Sequence, residues 1–522
     1  MKKGQTVQQN VRRTAILAGF VISLVTLLAG CGPKVSLPHV RLPHVRLPHP
    51  RIFYRPEMIL GVPRCSLNPL SSHTKNRNWF ISLMYDSLVK IQPDGEVIPD
   101  IANSWSIRNH YTTYVFHLNP HAKWWNGRPI SVHDVAWSYW LYANPQAPIS
   151  NAKSLTSLIR GIHIINAGTV EIQLKYPDPA FLSNVAASGS GHPILPAFML
   201  YHVPIKNLPF SPIFNKIPDM MGSGPYRPFS ANAQGVKWVA NPHYFLGAPK
   251  SHVLITTWTN SPAPDINWTS EKTDGKSHVL TYSGPSYYML LYNSPKIPSA
   301  VGTALPEMIN RLALARSEAP SFTPAYQPVI PGSPYTVVQP FQNPRAILHD
   351  AGYKQIHHTW VDPHGHKIDL GVVTGSDPSA VRLASAIHRQ LTAAGWNIRV
   401  TTSHNLLHTE ETHAFTMALV ERRVRPYPLL VQEYGPRSRH NYGEYDSLPF
   451  RQSLQNILTS PNPTTATKEA LTALLQSPPG AFLLWRAHHI FITSHVHGFR
   501  VNPFDPLSSV QNWSVTPSTR QS

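Results

Sequence analysis

Between Trp79 and Tyr142 the apolar and polar positions change period several times. Trp79 to Leu88 reads as a short helix or turn entering a strand, and Pro93-Asp94-Gly95 as a turn. Tyr111 to Leu118 alternates as a strand does, and Trp125-Asn126-Gly127 marks a second turn. Ser131 before His133-Asp134 has the form of an N-cap, opening a helix that carries Val135, Trp137, Tyr139 and Trp140. Farther along, Val381, Ala384, Ile387, His388 and Leu391 recur at steps of three and four, and Gly395 ends that helix. Strands at Asp369 to Val373 and from Ile398 flank it. The order strand, helix, strand is a βαβ unit, which predicts a mainly parallel sheet in the second half of the chain.

The N-terminus follows another pattern. Lys2, Lys3, Arg12 and Arg13 precede an apolar stretch from Ala15 to Leu28, followed by Leu28-Ala29-Gly30-Cys31. The stretch is too short to span a bilayer as a stable helix and reads as a cleavable export signal. Its end resembles a bacterial lipobox, which implies cleavage before Cys31, lipidation of that thiol and a chain tethered on the extracytoplasmic side of the cell membrane. Residues 36–50 then repeat a five-residue unit with Pro each time, as expected of an extended spacer. Its His39, His44 and His49 are spread too far apart to share one ion.

Composition narrows the function classes. The chain has 522 residues, 42% of them hydrophobic, enough for two or three domains and large cores. Its 52 Pro argue against a helical bundle and for a loop-rich α/β chain. The net charge of +19 raises nucleic acid as a partner, but residues 1–50 hold seven of those charges. The remainder is scattered without a basic run, so no nucleic-acid partner is expected. With Cys31 lipidated, Cys65 has no pairing partner within the chain. The shortage of carboxylates also fits a protein facing acidic medium. No catalytic motif and no cofactor motif is present, and no enzyme activity is expected.

Four segments carry a family resemblance. They are Tyr85-Asp86-Ser87-Leu88-Val89; Asp94-Gly95 with Pro99-Asp100-Ile101-Ala102-Asn103-Ser104-Trp105; Thr113 to Leu118; and Trp125-Asn126-Gly127-Arg128-Pro129 through His133-Asp134-Val135. Gly222-Ser223-Gly224-Pro225-Tyr226, Leu290-Leu291-Tyr292-Asn293, Asn343 to Tyr353 and Ala380 to Ile398 follow in order. Together they resemble the family 5 extracellular solute-binding proteins, which deliver peptides, nickel and related solutes to ABC importers. The resemblance implies a two-lobed α/β fold of the large periplasmic-binding-protein type, with a ligand cleft between the lobes. Lobe 1 is expected over 51–295, with an extra subdomain near 90–205, lobe 2 over 296–484, and a return to lobe 1 over 485–522. The implied partners are a peptide or other small solute, an ABC permease and the membrane through the lipid anchor, with the protein a monomer.

The resemblance also implies site residues. Backbone groups of Tyr85, Asp86, Ser87 and Leu88 from one lobe, and of Met417, Ala418, Leu419 and Val420 from the other, are expected to hold an extended ligand as an added strand. The family's acidic segment is replaced here by Glu421-Arg422-Arg423-Val424-Arg425. Its three Arg would repel a peptide N-terminus unless Glu421 or Glu433 substitutes for the missing acid, and Arg422 and Arg425 would favour an anionic group; the alternative is that these Arg face solvent on a loop. Asn441 and Tyr442 resemble a segment that comes close to ligand in several members. Trp124, Trp125, Trp137, Tyr139 and Trp140 read as core by their spacing, and Trp485 as a candidate wall. The His pairs at 357–358, 364–366, 488–489 and 495–497 lack a carboxylate or Cys at ligand spacing, so no metal site is expected. Two further readings stay open: a same-fold envelope lipoprotein acting as sensor, chaperone or interaction module without a transporter, and a binder of a nickel complex or anionic solute.

Overall fold

Ser131 starts its helix as its position predicts. Its side chain accepts from the Asp134 N–H while Asp134 accepts from the Ser131 N–H, closing a capping box on Val132–Tyr142. The structure is a computed structural model that describes residues 57–70, 79–149, 152–259, 263–268, 277–318, 321–339 and 341–516. Cys31, the apolar leader and the Pro/His spacer lie outside those residues.

Val132, Val135, Tyr139 and Tyr142 of that helix are buried against an antiparallel sheet. The sheet runs in the order Ala102–Arg108, Thr113–Leu118, Thr169–Leu174, Ile159–Asn166. These four strands fall within the 90–205 range. The second predicted helix spans Pro378–Ala393, with Asp377 accepting from the Ala380 N–H and Leu383, Ala384, Ile387 and Leu391 buried. Gly395 then turns the chain at φ +97, where a Cβ would lie 2.6 Å from the His358 carbonyl oxygen.

One sheet runs through both lobes. Its order is Asn397–Thr402, Asp369–Thr374, Met417–Arg423, Ser277–Tyr292, Gly480–Thr493, Ile266–Asn267, Glu57–Gly61, Val253–Thr257, Gly235–Ala240, Tyr226–Ala231. The βαβ unit is present, since Asp369–Thr374 is parallel to both Asn397–Thr402 and Met417–Arg423. The expected mainly parallel sheet is not. Ser277–Tyr292, Gly480–Thr493 and Phe322–Pro324 all pair antiparallel, because the two long strands enter from the first lobe already paired with each other.

Those two long strands cross between the lobes at a bulge. Ser283 pairs with Ala487 and the next pair is Tyr287 with Trp485, so Gly284, Pro285 and Ser286 are bulged out. Before the bulge, Tyr282 packs with Ile490 and Ile492 in the first-lobe core. After it, Leu290 and Leu484 join Val372 and Leu419 on one face of the sheet, and Tyr287 and Phe482 join Ala418 and Val420 on the other. The change of core therefore falls at residues 283–287, earlier than the boundary at 295 expected from sequence. Trp485 is 2% exposed and packs on Tyr287 at 5.2 Å, so it is core and not a cleft wall.

Candidate functional site

The expected first-lobe segment is sealed. Tyr85, Asp86, Ser87 and Leu88 are all buried. Their backbone is largely committed inside the lobe. The Asp86 N–H donates to Ser223 Oγ and its carbonyl accepts from the Ile194 N–H. The Ser87 N–H donates to Asp100, and the Ser87 and Leu88 carbonyls accept from Ile101 and Ala102. The glycine turn at 222–224 packs on the residues just before, because the Ser223 and Gly224 N–H groups both donate to the Met84 carbonyl at 2.9 Å. A Cβ on Gly222 would sit 2.0 Å from that oxygen, which is why the turn is glycine. The Trp125 side chain closes the node by donating to the Gly224 carbonyl. Three of the sequence motifs thus converge on one packing node.

Beneath it lies an ionic cluster. Lys90 Nζ is 2.6 Å from the Tyr244 hydroxyl, 3.4 Å from Asp86 and 3.6 Å from Asp100. Asp505 is buried beside it and accepts from Ser82 Oγ. Three buried carboxylates thus face one ammonium. Burial raises the Asp100 carboxyl well above its ordinary value and also raises Asp505.

The second-lobe segment divides in two. Met417, Ala418 and Leu419 are paired on both sides, with Tyr292, Leu291 and Leu290 and with the 369–374 strand, so their backbone is interior to the sheet. From Val420 to Arg423, among the described residues, only Ser277–Tyr292 pairs with the strand, leaving the other edge open. This edge lies at the carboxyl ends of the parallel strands, beside the bulged crossing and the start of the 378–393 helix. Crevices at such ends are the usual ligand position in open α/β sheets. Downstream, the segment reaches the first lobe: a Cβ on Gly95 would lie 3.1 Å from the Pro426 carbonyl oxygen, and Asn184 donates to the Tyr427 carbonyl.

Side chains alternate across that edge. Glu421 receives a two-pronged contact from Arg486, both bonds 2.9 Å, and a third bond from Ser286 Oγ at 2.7 Å. Burial works to raise the Glu421 carboxyl, but the hydrogen bonds from Arg486 and Ser286 hold it below its ordinary value. Arg486 also donates to the Tyr288 hydroxyl and lies over the Tyr288 and Phe322 rings. Tyr288 in turn reaches toward Asp377 at 3.5 Å. Arg486, Tyr288, Ser286 and Asp377 escaped the sequence reading, since they come together only through the strand register.

Arg422 points to the opposite face and is not a free cation. It donates to Glu410, which is buried, and lies 5.6 Å from the Tyr442 ring. The structure therefore brings Arg422 and Tyr442 together, while Arg423 and Arg425 are exposed. Glu433 lies in the field of Arg422 and Arg425, yet burial pushes its carboxyl up to about 7. Asn441 is used locally, with its side chain bonding the Tyr445 N–H and carbonyl. Asn441 and Tyr442 also line a polar cavity of about 610 Å³ with His413, His440, Glu444 and Asp446. Among the described residues no group of three or more His, Cys, Asp or Glu could hold a metal ion, and no helix is long and apolar enough to cross a membrane.

Two lobes joined by crossing strands, with an open sheet edge beside the crossing, define the two-lobed periplasmic-binding-protein architecture. The particular match is to family 5: the model for "Bacterial extracellular solute-binding proteins, family 5 Middle" matches residues 96–263. A Brucella ovis chain named as an ABC transporter peptide-binding protein is 28% identical over 203 residues, 38% of this chain and 37% of the relative. The Escherichia coli periplasmic murein peptide-binding protein MppA is 26% identical over 159 residues, 27% of this chain and 28% of the relative. The matches thus span less than two fifths of these curated relatives. In fold the likeness is wider. The unliganded open form of MppA superposes with a TM-score of 0.76 at 17% identity, covering 90% of this chain and 99% of that one. NikZ from Campylobacter jejuni, in complex with Ni(L-His), gives 0.61 at 19% identity, covering 88% and 99%.

Proposed function

We propose that this chain is an extracytoplasmic solute-binding lipoprotein, anchored through Cys31, that captures a peptide or related solute between its lobes and delivers it to an ABC permease. The observation that carries the reading is the open backbone edge at Val420–Arg423 beside the interlobe crossing, where an extended ligand can add as a strand. Closing the lobes over it would exclude water and strengthen those backbone bonds. Names of the relatives and the family match support the same class.

Charge at the edge favours a ligand with an anionic or neutral end. Glu421 is neutralised by Arg486, whereas Arg423 and Arg425 are exposed cations. The anionic preference expected of Arg422 and Arg425 therefore rests on Arg425 and Arg423. Native mass spectrometry of protein purified from its host, followed by calorimetry with peptides, anionic solutes and nickel chelates, tests the proposal. We expect a co-purified solute, and an anionic ligand weakened over about tenfold by Arg423→Ala/Arg425→Ala. An empty protein that binds none of the three classes overturns the transport reading.

A further inference from the structure

The helix Val132–Tyr142 is apolar on two faces. Val132, Val135, Tyr139 and Tyr142 fill the core. On the other side Ala136, Trp137 and Trp140 lie at steps of three and four, next to the exposed His133, where a surface helix ordinarily carries polar residues throughout. Their spacing suggested core, but Trp140 is 47% exposed and Trp137 half-buried. Both line a cavity of about 970 Å³ together with Phe198 and Tyr201, the latter 58% exposed.

The charge around this cavity has one sign. Arg128, Arg160 and Lys175 line it and are exposed. Its single carboxylate, Asp134, is buried and fully used, accepting from the Ser131 N–H, Ser131 Oγ and the Ala197 N–H. Arg128 lies 4.2 Å over the Phe198 ring, and Lys175 donates one proton to the Thr156 carbonyl, leaving two for a ligand. Aromatic walls rimmed by cations, with no available acid, complement an anion that carries an apolar body. The volume falls in the range of cavities that enclose small organic ligands.

We propose that this groove is a second ligand site, separate from the interlobe edge, that takes a free anionic amphiphile. Its apolar body lies along Trp137, Trp140 and Tyr201, and its acid group meets Arg160 and Lys175. Every lining residue lies between positions 128 and 201, so the site does not depend on lobe closure.

Calorimetry and tryptophan fluorescence on the full chain, with dodecanoate below its micelle concentration against dodecyltrimethylammonium, test this. Dodecanoate should bind at one site and the ammonium analogue should not. Arg160→Gln/Lys175→Gln should weaken dodecanoate by about tenfold or more, as loss of charge-assisted hydrogen bonds does. Trp140→Ala should weaken it comparably through lost apolar contact. All three side chains are exposed, so the thermal midpoint should stay at the wild-type value, separating lost binding from lost fold. Equal binding of the two amphiphiles, no binding of dodecanoate, or wild-type affinity in the double variant overturns the proposal. Recruitment to anionic vesicles that dodecanoate does not displace also overturns it, making the surface a membrane contact instead.

Discussion

Two ionic constellations sit close to the two segments expected to hold ligand, and they are built on opposite terms. In the first lobe, Lys90 is enclosed with Asp86, Asp100, Asp505 and Tyr244, with the Asp86 and Asp100 side chains at 1% and 0% exposure. At the crossing, Glu421 and Arg486 hold each other in an ideal two-pronged geometry while each stays about one third exposed. The first has more buried negative charge than its single cation neutralises. The second is balanced and wet. A sealed, unbalanced cluster is expensive to disturb and gives a ligand nothing to touch. A balanced pair at an open strand edge costs little to rearrange and lies within reach of a solute.

The two should also respond to pH in opposite senses. Asp100 and Asp505 have carboxyls raised above their ordinary 3.8, so the folded state holds more protons than the unfolded one above that pH. Their contribution to stability is present below 3.8 and is lost as pH rises toward the folded values. Glu421 is held below its ordinary 4.5, so its contribution is present above 4.5 and is lost as pH falls through the folded value. The sealed cluster therefore favours acid and the exposed pair opposes it. The raised Glu433 carboxyl, at about 7, adds to the first sense.

The largest effect should come from removing the one cation of the sealed cluster. Lys90→Met leaves three carboxylates buried without a counter-charge and should cost about 3–5 kcal/mol at pH 7, read by urea unfolding. The cost should shrink as pH falls, because burial raises the Asp100 and Asp505 carboxyls above their ordinary value and protonation removes their need for a counter-charge. A loss below about 1 kcal/mol at pH 7 would mean that water reaches the cluster, and the contrast with the crossing pair would fail.

A smaller effect of opposite sign is expected from Asp100→Asn. The amide retains an acceptor for the Ser87 N–H and mimics the protonated carboxyl. It should raise the thermal midpoint at pH 7 and leave it nearly unchanged at pH 3.5, flattening the pH dependence. A lower midpoint at pH 7 would show that Lys90 needs the Asp100 charge, and would place the raised proton elsewhere in the cluster.

Much of this architecture was legible in the chain. The N-cap at Ser131 and the Gly395 helix end are local signals, and local signals survive folding. The motifs that carried the family resemblance were legible as markers but misleading as a site. Tyr85 to Leu88, Trp125 and Gly222 to Gly224 are held together by hydrogen bonds with one another, and their backbone groups are consumed by packing. The open edge was hidden because it depends on where the 369–374 strand stops, at the partner of Leu419, and no local pattern encodes a partner's length. Trp140 misled for a related reason: helical spacing shows that a face is apolar, without showing whether anything covers it.

The finest test concerns the crossing pair itself. Arg486→Met keeps an unbranched apolar side chain while removing the guanidinium from Glu421 and from the Tyr288 and Phe322 rings. Because both groups are partly exposed, the stability loss should be about 1 kcal/mol or less at pH 7. The variant frees a carboxylate beside the Val420–Arg423 edge, so its main consequence should be for solute. Affinity for a ligand with an anionic end should fall, and affinity for one with an ammonium end should rise, measured by calorimetry at pH 7. If solute affinity is indifferent while stability drops as far as in Lys90→Met, the pair is a structural tie like the sealed cluster, and the edge beside it is not where the ligand's charge is read.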